Sequence, residues 1–104
     1  MSVFVLHQQM LPAAELITAM TGSSELIGEF IQVPLKIIFD NMSDDDVVIY
    51  LDVGGGPIQW KTFTAGEALV LDDDLYTFPK GTRIFGDGPG SGNFSVSYTY
   101  IKYP

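Results

Sequence analysis

Hydrophobic and polar residues alternate in short runs along the chain, and each run ends at glycine, proline or aspartate. The clearest run is 47–53, in which Val47, Ile49, Leu51 and Val53 occupy every second position. A period of two places these side chains on one face of a β-strand, so the run predicts a strand with an apolar face. The glycines and the proline at 54–57 then predict a hairpin turn, with a returning strand at 58–63.

The same pattern recurs about every ten positions, which is typical of an antiparallel sandwich or a small barrel. Further strands are predicted at 2–10, 25–32, 34–40, 67–71, 75–78, 82–85 and 93–103. Pro34 is placed at the start of its strand because it cannot donate to a ladder. Residues 13–20 fit either a helix turn or a short strand. The prediction is an all-β chain with one jelly-roll-like β-sandwich or small barrel at 25–104 and an N-terminal arm or assembly segment at 1–24.

Composition narrows the classes of function. The chain has 104 residues, which supports one domain, and it has no cysteine, which excludes disulfides and cysteine-bound zinc. Thirteen acidic and five scattered basic residues give a net charge of −8. Nucleic acid and anionic lipid both require basic patches, so neither is expected as a partner. Residues 1–6 lack the basic region of a signal peptide, and no membrane span is predicted.

Two aspartate runs, 44–46 and 72–74, could supply oxygen ligands to calcium, with Asp44, Asp46, Asp72 and Asp74 as the candidates. Neither run has the spacing of an EF-hand loop. Acidic residues also populate turns, where they accept hydrogen bonds from backbone amides, and this interpretation is favoured. A metal site becomes more credible if both runs lie at the same end of the sandwich. No cofactor is predicted.

No catalytic constellation is visible, and the chain is predicted not to be an enzyme. His7 is the only histidine, and acid–base catalysis by it would require a positioned partner. The glycine-rich stretch 86–92 is followed by a strand, whereas a phosphate-binding loop leads into a helix. The segment 79–82 reads Pro-Lys-Gly-Thr, which predicts a turn.

Aromatic and apolar residues suggest surfaces for partners. Trp60 and several tyrosines could form a sugar-stacking platform, but a core position for Trp60 is favoured. One small sheet rarely buries every tyrosine of the last strand, so part of it is expected in a subunit interface. An apolar N-terminal strand could also add to the sheet edge of a neighbour. The interface candidates are Val3, Phe4, Val5, Leu6, Met10, Tyr98, Tyr100 and Tyr103.

The order of turn and strand motifs resembles that of small β-sandwich bacteriophage virion proteins, over residues 33–103. The motifs are Pro34 to Val47 with Asn41-Met42-Ser43-Asp44 inside it, Tyr50-Leu51-Asp52, Ala65-Gly66, Asp72, Lys80 to Phe85, Ser91-Gly92 and Phe94 to Tyr98. Val53 stands where that pattern has glycine, which indicates an insertion or a bulge.

The resemblance implies a non-enzymatic structural protein of the virion. The first hypothesis is a capsid decoration (cement) protein, which stabilises the particle through multivalent contacts. Its partners would be the major capsid protein or other virion proteins, and copies of itself. A tail- or neck-associated ring subunit is the alternative from the same resemblance. The aromatic residues add a third alternative, a carbohydrate-binding adhesion module.

Overall fold

The computed structural model describes residues 14–19, 22, 24–72, 78–88 and 92–100. Regular structure in these ranges is entirely β. The eight strands are β1 Ala14–Ala19, β2 Glu25–Glu29, β3 Pro34–Asn41, β4 Val47–Asp52, β5 Ile58–Phe63, β6 Ala68–Leu71, β7 Arg83–Asp87 and β8 Asn93–Tyr100.

The strands form two four-stranded antiparallel sheets packed as a sandwich. Sheet A has the order β1-β8-β3-β6 and sheet B the order β2-β7-β4-β5. The first strand therefore pairs with the last, the second with the seventh, the third with the sixth and the fourth with the fifth. This nested pairing is the jelly-roll arrangement. The predicted β-sandwich is confirmed, and the described strands do not close into a barrel.

Several predicted elements can now be placed. Residues 14–19 form a strand, which decides between the helix and strand alternatives, and this strand pairs with β8. That part of the 1–24 segment belongs to sheet A, whereas 1–13 lie outside the described residues, as does most of the predicted strand 75–78. Pro34 begins β3, as predicted. β7 continues past residue 85 because Gly86 pairs with both Ile49 and Glu25.

The core lies between the two sheets and is formed by alternate residues of their strands. Its buried hydrophobic residues are Ile27, Phe30, Ile37, Phe39, Val47, Ile49, Leu51, Phe63, Leu71, Ile84, Phe94, Val96 and Tyr98. Aromatic rings dominate the contacts, with centroids 4.9 Å apart for Phe30 and Tyr98 and 5.2 Å for Phe63 and Phe94. Both pairs meet edge to face, a favourable geometry for aromatic rings.

Two residues depart from the predicted alternation. By alternation Leu35 shares a face with Ile37 and Phe39, which are buried, but it is 49% exposed. The register of β3 against β8 shifts between Pro34 and Lys36, and a one-residue irregularity reverses the face that a side chain occupies. Val53, expected on the apolar face of β4, is 59% exposed because that strand ends at Asp52.

Asn41 is a fully buried polar residue that fixes the β3–β4 connection. Its side-chain amide N–H groups donate to the carbonyl oxygens of Asp45 at 2.9 Å, Phe63 at 3.1 Å and Thr64 at 2.9 Å. Its Oδ1 accepts hydrogen bonds from the backbone N–H of Ser43 at 3.0 Å and from the Ser43 hydroxyl at 2.6 Å. A satisfied buried amide of this kind rigidifies what it connects, here one loop to the end of β5.

The β7–β8 connection packs closely on the same loop. Gly92 has a φ of +106°, and a Cβ added to it would lie 2.7 Å from the Ser43 Cα. The Met42 N–H also donates to the Asn93 carbonyl at 3.0 Å. Gly92 is therefore needed both for its backbone angle and for the space that a side chain would take.

Replacing Asn41 by leucine should lower the free energy of unfolding by about 2–4 kcal/mol, because the carbonyls that it serves lose their partner. Urea denaturation measures this change. Asp44→Asn, an exposed substitution in the same loop, is the control and should change stability by less than about 0.5 kcal/mol. Equal stability of Asn41→Leu and the wild type would contradict a stabilising role for the Asn41 hydrogen bonds.

Gly92→Ala and Gly54→Ala separate backbone strain from steric overlap. Gly54 has a φ of +125° with nothing within 4 Å of its added Cβ, so its substitution should cost about 1–2 kcal/mol of strain alone. Gly92→Ala should cost about 1–3 kcal/mol more, since the backbone of Ser43 must move. Thermal unfolding of both variants provides the comparison, and equal losses would show that the contact with Ser43 is not limiting.

Candidate interaction surface

The two ends of the sandwich differ in chemistry. Antiparallel pairing places the β2–β3, β4–β5 and β6–β7 connections at one end, together with the start of β1 and the last residues of β8. We call this the apolar end. The β1–β2, β3–β4, β5–β6 and β7–β8 connections lie at the other, which we call the acidic end.

The acidic end carries nearly all of the net charge among the described side chains. Its half of the sandwich holds seven carboxylates and one lysine, a formal charge of −6: Glu25, Asp40, Asp44, Asp45, Asp46, Glu67 and Asp87 with Lys61. The apolar half holds three carboxylates and three cations and is formally neutral: Glu29, Asp52 and Asp72 with Lys36, Lys80 and Arg83. Among the described side chains, repulsion between like charges is therefore concentrated at the acidic end.

Exposed large hydrophobic side chains concentrate at the apolar end. Nine such residues are exposed in the described part of the chain, and five of them lie at this end: Ile31 at 60%, Val33 at 45%, Leu35 at 49%, Val53 at 59% and Ile58 at 65%. Isolated exposed hydrophobics are ordinary on any protein surface. Several at one end, within two loops that carry no charged side chain, mark a surface suited to a partner.

The first of these loops, 30–33, is held firmly against the sandwich. Phe30 is fully buried, and its N–H donates to the Thr82 carbonyl at 2.9 Å while its carbonyl accepts from the Gly81 N–H at 2.7 Å. The Thr82 hydroxyl in turn donates to the Pro79 carbonyl at 2.7 Å. Because Phe30 is anchored in the core, its neighbour Ile31 is held at the surface.

The second loop is the β4–β5 hairpin tip. One carboxylate oxygen of Asp52 accepts the N–H of Gly54 at 2.8 Å and that of Gly56 at 3.1 Å. Both glycines have positive φ angles, 125° and 101°, which other residues adopt only with strain. The turn is thereby ordered by its own aspartate, and it presents Val53 and Ile58 on either side of the tip.

Two motifs noted in the sequence have structural roles. Pro79-Lys80-Gly81-Thr82 forms the turn that secures Phe30, and Thr82 is 1% exposed. Asn41-Met42-Ser43-Asp44 is the loop clamped by the Asn41 amide. Both motifs therefore contribute to the fold.

The candidate metal ligands do not come together. Asp44 and Asp46 lie in the β3–β4 loop at the acidic end, whereas Asp72 follows β6 at the apolar end. Asp74 lies outside the described residues. Within the described ranges no group of three histidine, cysteine, aspartate or glutamate side chains could hold a metal ion. Of the described candidates, Asp44 and Asp46 therefore lie at the opposite end of the sandwich from Asp72.

The aromatic candidates differ in how deeply they are buried. Tyr98 was expected in an interface, but it is 2% exposed and packs edge to face on Phe30, so its side chain belongs to the core. Tyr100 is half-buried, with its ring centroid 5.9 Å from that of Tyr98. Trp60 is half-buried against Phe39, 5.0 Å between centroids, and fits the favoured core position. Five of the interface candidates, from Val3 to Met10, and Tyr103 lie outside the described residues.

The outer faces of the two sheets expose fewer large hydrophobic side chains than the apolar end. Sheet A presents hydroxyl residues of β8 beside the exposed pair Ile38 and Val70, which face each other across β3 and β6. A shallow depression there is lined by Lys36, Ile38, Ser97, Tyr98 and Thr99. Sheet B pairs Tyr50 with Phe85, and the Arg83 guanidinium lies 5.2 Å from the Phe85 ring centroid.

Comparison with protein-family models, with curated proteins and with solved structures found no match. In the part of the chain that the structure describes, no helix is long and apolar enough to cross a membrane.

Sequence reasoning missed the residues that define the apolar end. Ile31, Val33 and Ile58 each stood at the edge of a predicted strand, where alternation does not tell a core position from an exposed one. The usable signal was the absence of charge in 30–33 and in 53–58, two loops flanked by strands that carry charged residues.

At the acidic end, Glu67 has a lowered pKa. The backbone N–H of Thr64 donates to its Oε1 at 2.9 Å and is the main cause, followed by Lys61, whose Nζ lies 3.0 Å from Oε2. These contacts favour the charged carboxylate. A group with a lowered folded pKa contributes stability that is present above its unfolded pKa and is lost as pH falls through the folded value.

Glu67→Gln should therefore unfold at a slightly lower temperature than the wild type at pH 7. The difference should shrink as the pH falls below about 4.5, the ordinary pKa of this group, and vanish once the folded carboxyl is protonated. Lys61→Met should show a smaller effect, since the Thr64 hydrogen bond remains. Melting curves at stepped pH test this, and a difference that grows toward low pH would contradict the assignment.

Proposed function

We propose that this chain is a non-enzymatic structural subunit of a bacteriophage particle, a capsid decoration protein that attaches through its apolar end. The observation that carries the attachment is the concentration of the exposed residues Ile31, Val33, Leu35, Val53 and Ile58 at the apolar end. The resemblance of the motifs to small virion proteins supports the class of partner, which is the major capsid protein or another protein of the particle.

Exposed apolar area of this kind supplies the driving force for association. Each buried square ångström is worth about 25 cal/mol, and a standard interface hides on the order of 800 Å² per partner. A single weak contact is sufficient if many identical subunits bind a symmetric shell, because multiple contacts between linked copies add through effective concentration. Direct contacts among neighbouring copies would add further to this effect.

The charge distribution favours one orientation on the particle. The described side chains of the apolar end balance in charge and those of the acidic end carry a formal charge of −6, so the apolar end can approach another protein with less repulsion. In the proposed arrangement the acidic end faces solvent, where mutual repulsion keeps free subunits from aggregating. Attachment through uncharged loops should also depend little on ionic strength.

The tail- or neck-associated ring subunit remains the alternative within the same class, and the position of the chain in intact particles distinguishes the two. The Tyr50–Phe85 pair on the outer face of sheet B favours a second candidate, carbohydrate binding, since aromatic rings beside polar groups stack on sugars. A glycan panel followed by tyrosine and tryptophan fluorescence tests it, and no response to any glycan removes it.

A paired substitution tests the attachment surface. Ile31→Ser with Ile58→Ser removes the two most exposed large hydrophobic side chains described at the apolar end, at 60% and 65%. Losing two isoleucine contacts of about 1.5 kcal/mol each should weaken binding to particles about a hundredfold. Co-sedimentation with purified particles that lack the chain measures the binding, after mass spectrometry has located the natural chain in particles.

Ile38→Ser with Val70→Ser is the matched control, because it removes an exposed apolar pair from the outer face of sheet A. It should bind like the wild type. Absence of the chain from purified particles would overturn the proposal. Full binding by the apolar-end variant would overturn the surface assigned here.

A further inference from the structure

We propose that the open edge of β6 pairs with the same edge of a second copy of this chain, antiparallel and about a two-fold axis at Leu69. The free chain then forms a weak symmetric dimer in which sheet A of each copy contributes four strands to one continuous sheet. This inference does not rest on the proposed function, because it concerns the chain in solution and a surface other than the apolar end.

β6 is the least protected of the four sheet edges that the structure describes. The edge strands are β1 and β6 in sheet A, and β2 and β5 in sheet B. Folded proteins blunt such edges with charged side chains, prolines or bulges. β1 contains Glu15, β2 contains Glu25 and Glu29, and β5 contains Lys61, and the registers of β2 and β5 with their neighbours also shift. β6 reads Ala-Leu-Val-Leu and pairs with β3 without a shift.

The backbone groups of Ala68 and Val70 point to the open side of β6. The Asn41 N–H donates to the Glu67 carbonyl at 2.9 Å, so these two residues form a hydrogen-bonded pair between β3 and β6. Hydrogen-bonded and non-hydrogen-bonded pairs alternate along an antiparallel ladder. By the register of the two strands, the N–H and carbonyl groups of Ala68 and Val70 are therefore directed away from β3. No strand that the structure describes lies on that side.

Two outward-facing residues that are two positions apart make this edge self-complementary. When Ala68 of each copy lies opposite Val70 of the other, each of the two pairs exchanges two hydrogen bonds, so the contact contains four. Leu69 then lies opposite itself on the symmetry axis. An isologous contact of this kind is closed, so association ends at the dimer.

The same register brings together exposed apolar side chains beside the edge. Val70 is 52% exposed and Ile38 is 37% exposed, and they are cross-strand neighbours on the outer face of sheet A. Neither belongs to the apolar end. In the dimer Ala68 of the second copy lies next to Val70, so a row of three apolar side chains forms on each side of the axis. Contact along these rows removes apolar area from water and stabilises the pair.

The charge distribution favours a second copy in this orientation. Antiparallel pairing sets the acidic end of one copy beside the apolar end of the other, whose described charges balance. Glu67 lies opposite Leu71 and Asp72 lies opposite Gly66, so no like charges face each other across the edge. A parallel contact would instead bring together two acidic ends, each with a formal charge of −6 on its described side chains.

The contact is small, so the dimer is weak. Four residues from each copy bury less than the roughly 800 Å² per partner of a standard interface, and we expect a dissociation constant of tens to hundreds of micromolar. The two apolar ends stay uncovered in the dimer and point in opposite directions. Attachment of one copy to a particle therefore does not require the dimer.

Sedimentation velocity of the full chain from low micromolar to millimolar concentration measures the association. Val70→Pro removes one outward N–H from each copy, and so two of the four hydrogen bonds, without removing a bond to β3. It should weaken the dimer at least about tenfold. Val70→Thr keeps the N–H and the branched shape, and this matched control should stay within about threefold of the wild type. Circular dichroism checks that both variants are folded.

Val70→Lys provides the same test without a change to the backbone, should the proline variant fail to fold. Because Val70 is half-exposed, a lysine there leaves the core intact, but it places a charge where the dimer buries apolar area. This variant should also weaken the dimer at least about tenfold. Ile31→Ser with Ile58→Ser should dimerise like the wild type, since both residues lie at the apolar end.

Introduced thiols test the register, because the chain has no cysteine. A disulfide requires Cα atoms within about 7 Å, and a hydrogen-bonded antiparallel pair places them about 5.5 Å apart. A mixture of Ala68→Cys and Val70→Cys chains should therefore form a mixed disulfide dimer under mild oxidant, identified by mass spectrometry. Either variant alone places its two thiols diagonally across the axis and should cross-link at least about tenfold more slowly.

A chain that stays monomeric at millimolar concentration would overturn this inference. So would folded Val70→Pro and Val70→Lys variants that associate like the wild type, or cross-linking of either thiol variant alone as fast as the mixture. Loss of the dimer in Ile31→Ser with Ile58→Ser would place the contact at the apolar end and would also overturn it. None of these results bears on particle binding, and absence of the chain from particles would leave the dimer unaffected.

Discussion

The structure depends on one constraint, the burial of a single apolar layer between two sheets whose strands pair in a nested order. β8 is central to it, since it pairs with β1 on one side and β3 on the other and buries Phe94, Val96 and Tyr98 almost completely. With no cysteine in the chain, this layer must hold the fold without cross-links. Most inward positions of the described strands are therefore apolar or aromatic, and a change of one residue in register would expose a strand's whole apolar face.

Buried polar groups complete the fold where the apolar layer ends. Asn41 ties the β3–β4 loop to the end of β5, and Thr82 secures the turn that holds Phe30. Such satisfied hydrogen bonds cost little and make the loops rigid. Rigid ends allow the two poles of the molecule to differ, with carboxylates at one and hydrophobic side chains at the other. We propose that this difference orients the subunit on a particle.

Local pattern was sufficient for the two strands of the central hairpin and for the turn between them. The alternation at Val47, Ile49 and Leu51 and the glycines after Asp52 both predicted what the structure contains. The positions of two side chains, one exposed and one buried, could not be predicted from local pattern. Leu35 turned outward because of a register shift that no local pattern shows. Tyr98 entered the core because the loop residue Phe30, distant in sequence, supplies its ring partner.

The site was harder to foresee than the fold for a related reason. Which loops share an end follows from the pairing of strands that are far apart in the chain, so the aspartate runs could not be assigned to ends from sequence. The same applies to Ile31 and Ile58, whose common location is set by the pairing of β2 with β7 and of β4 with β5. The pairing of distant strands thus determines which residues meet at one end, while the residue types in each loop determine whether that end is apolar or charged.

The central claim is that the apolar end makes the contact with the partner. Hydrogen–deuterium exchange of the chain, free and bound to purified particles, tests it most directly. The account requires slower exchange on binding in the backbone of 30–35 and 53–58, with the acidic-end loops 42–46 and 64–67 unchanged. Protection confined to the acidic-end loops, or to the outer face of either sheet, would contradict it.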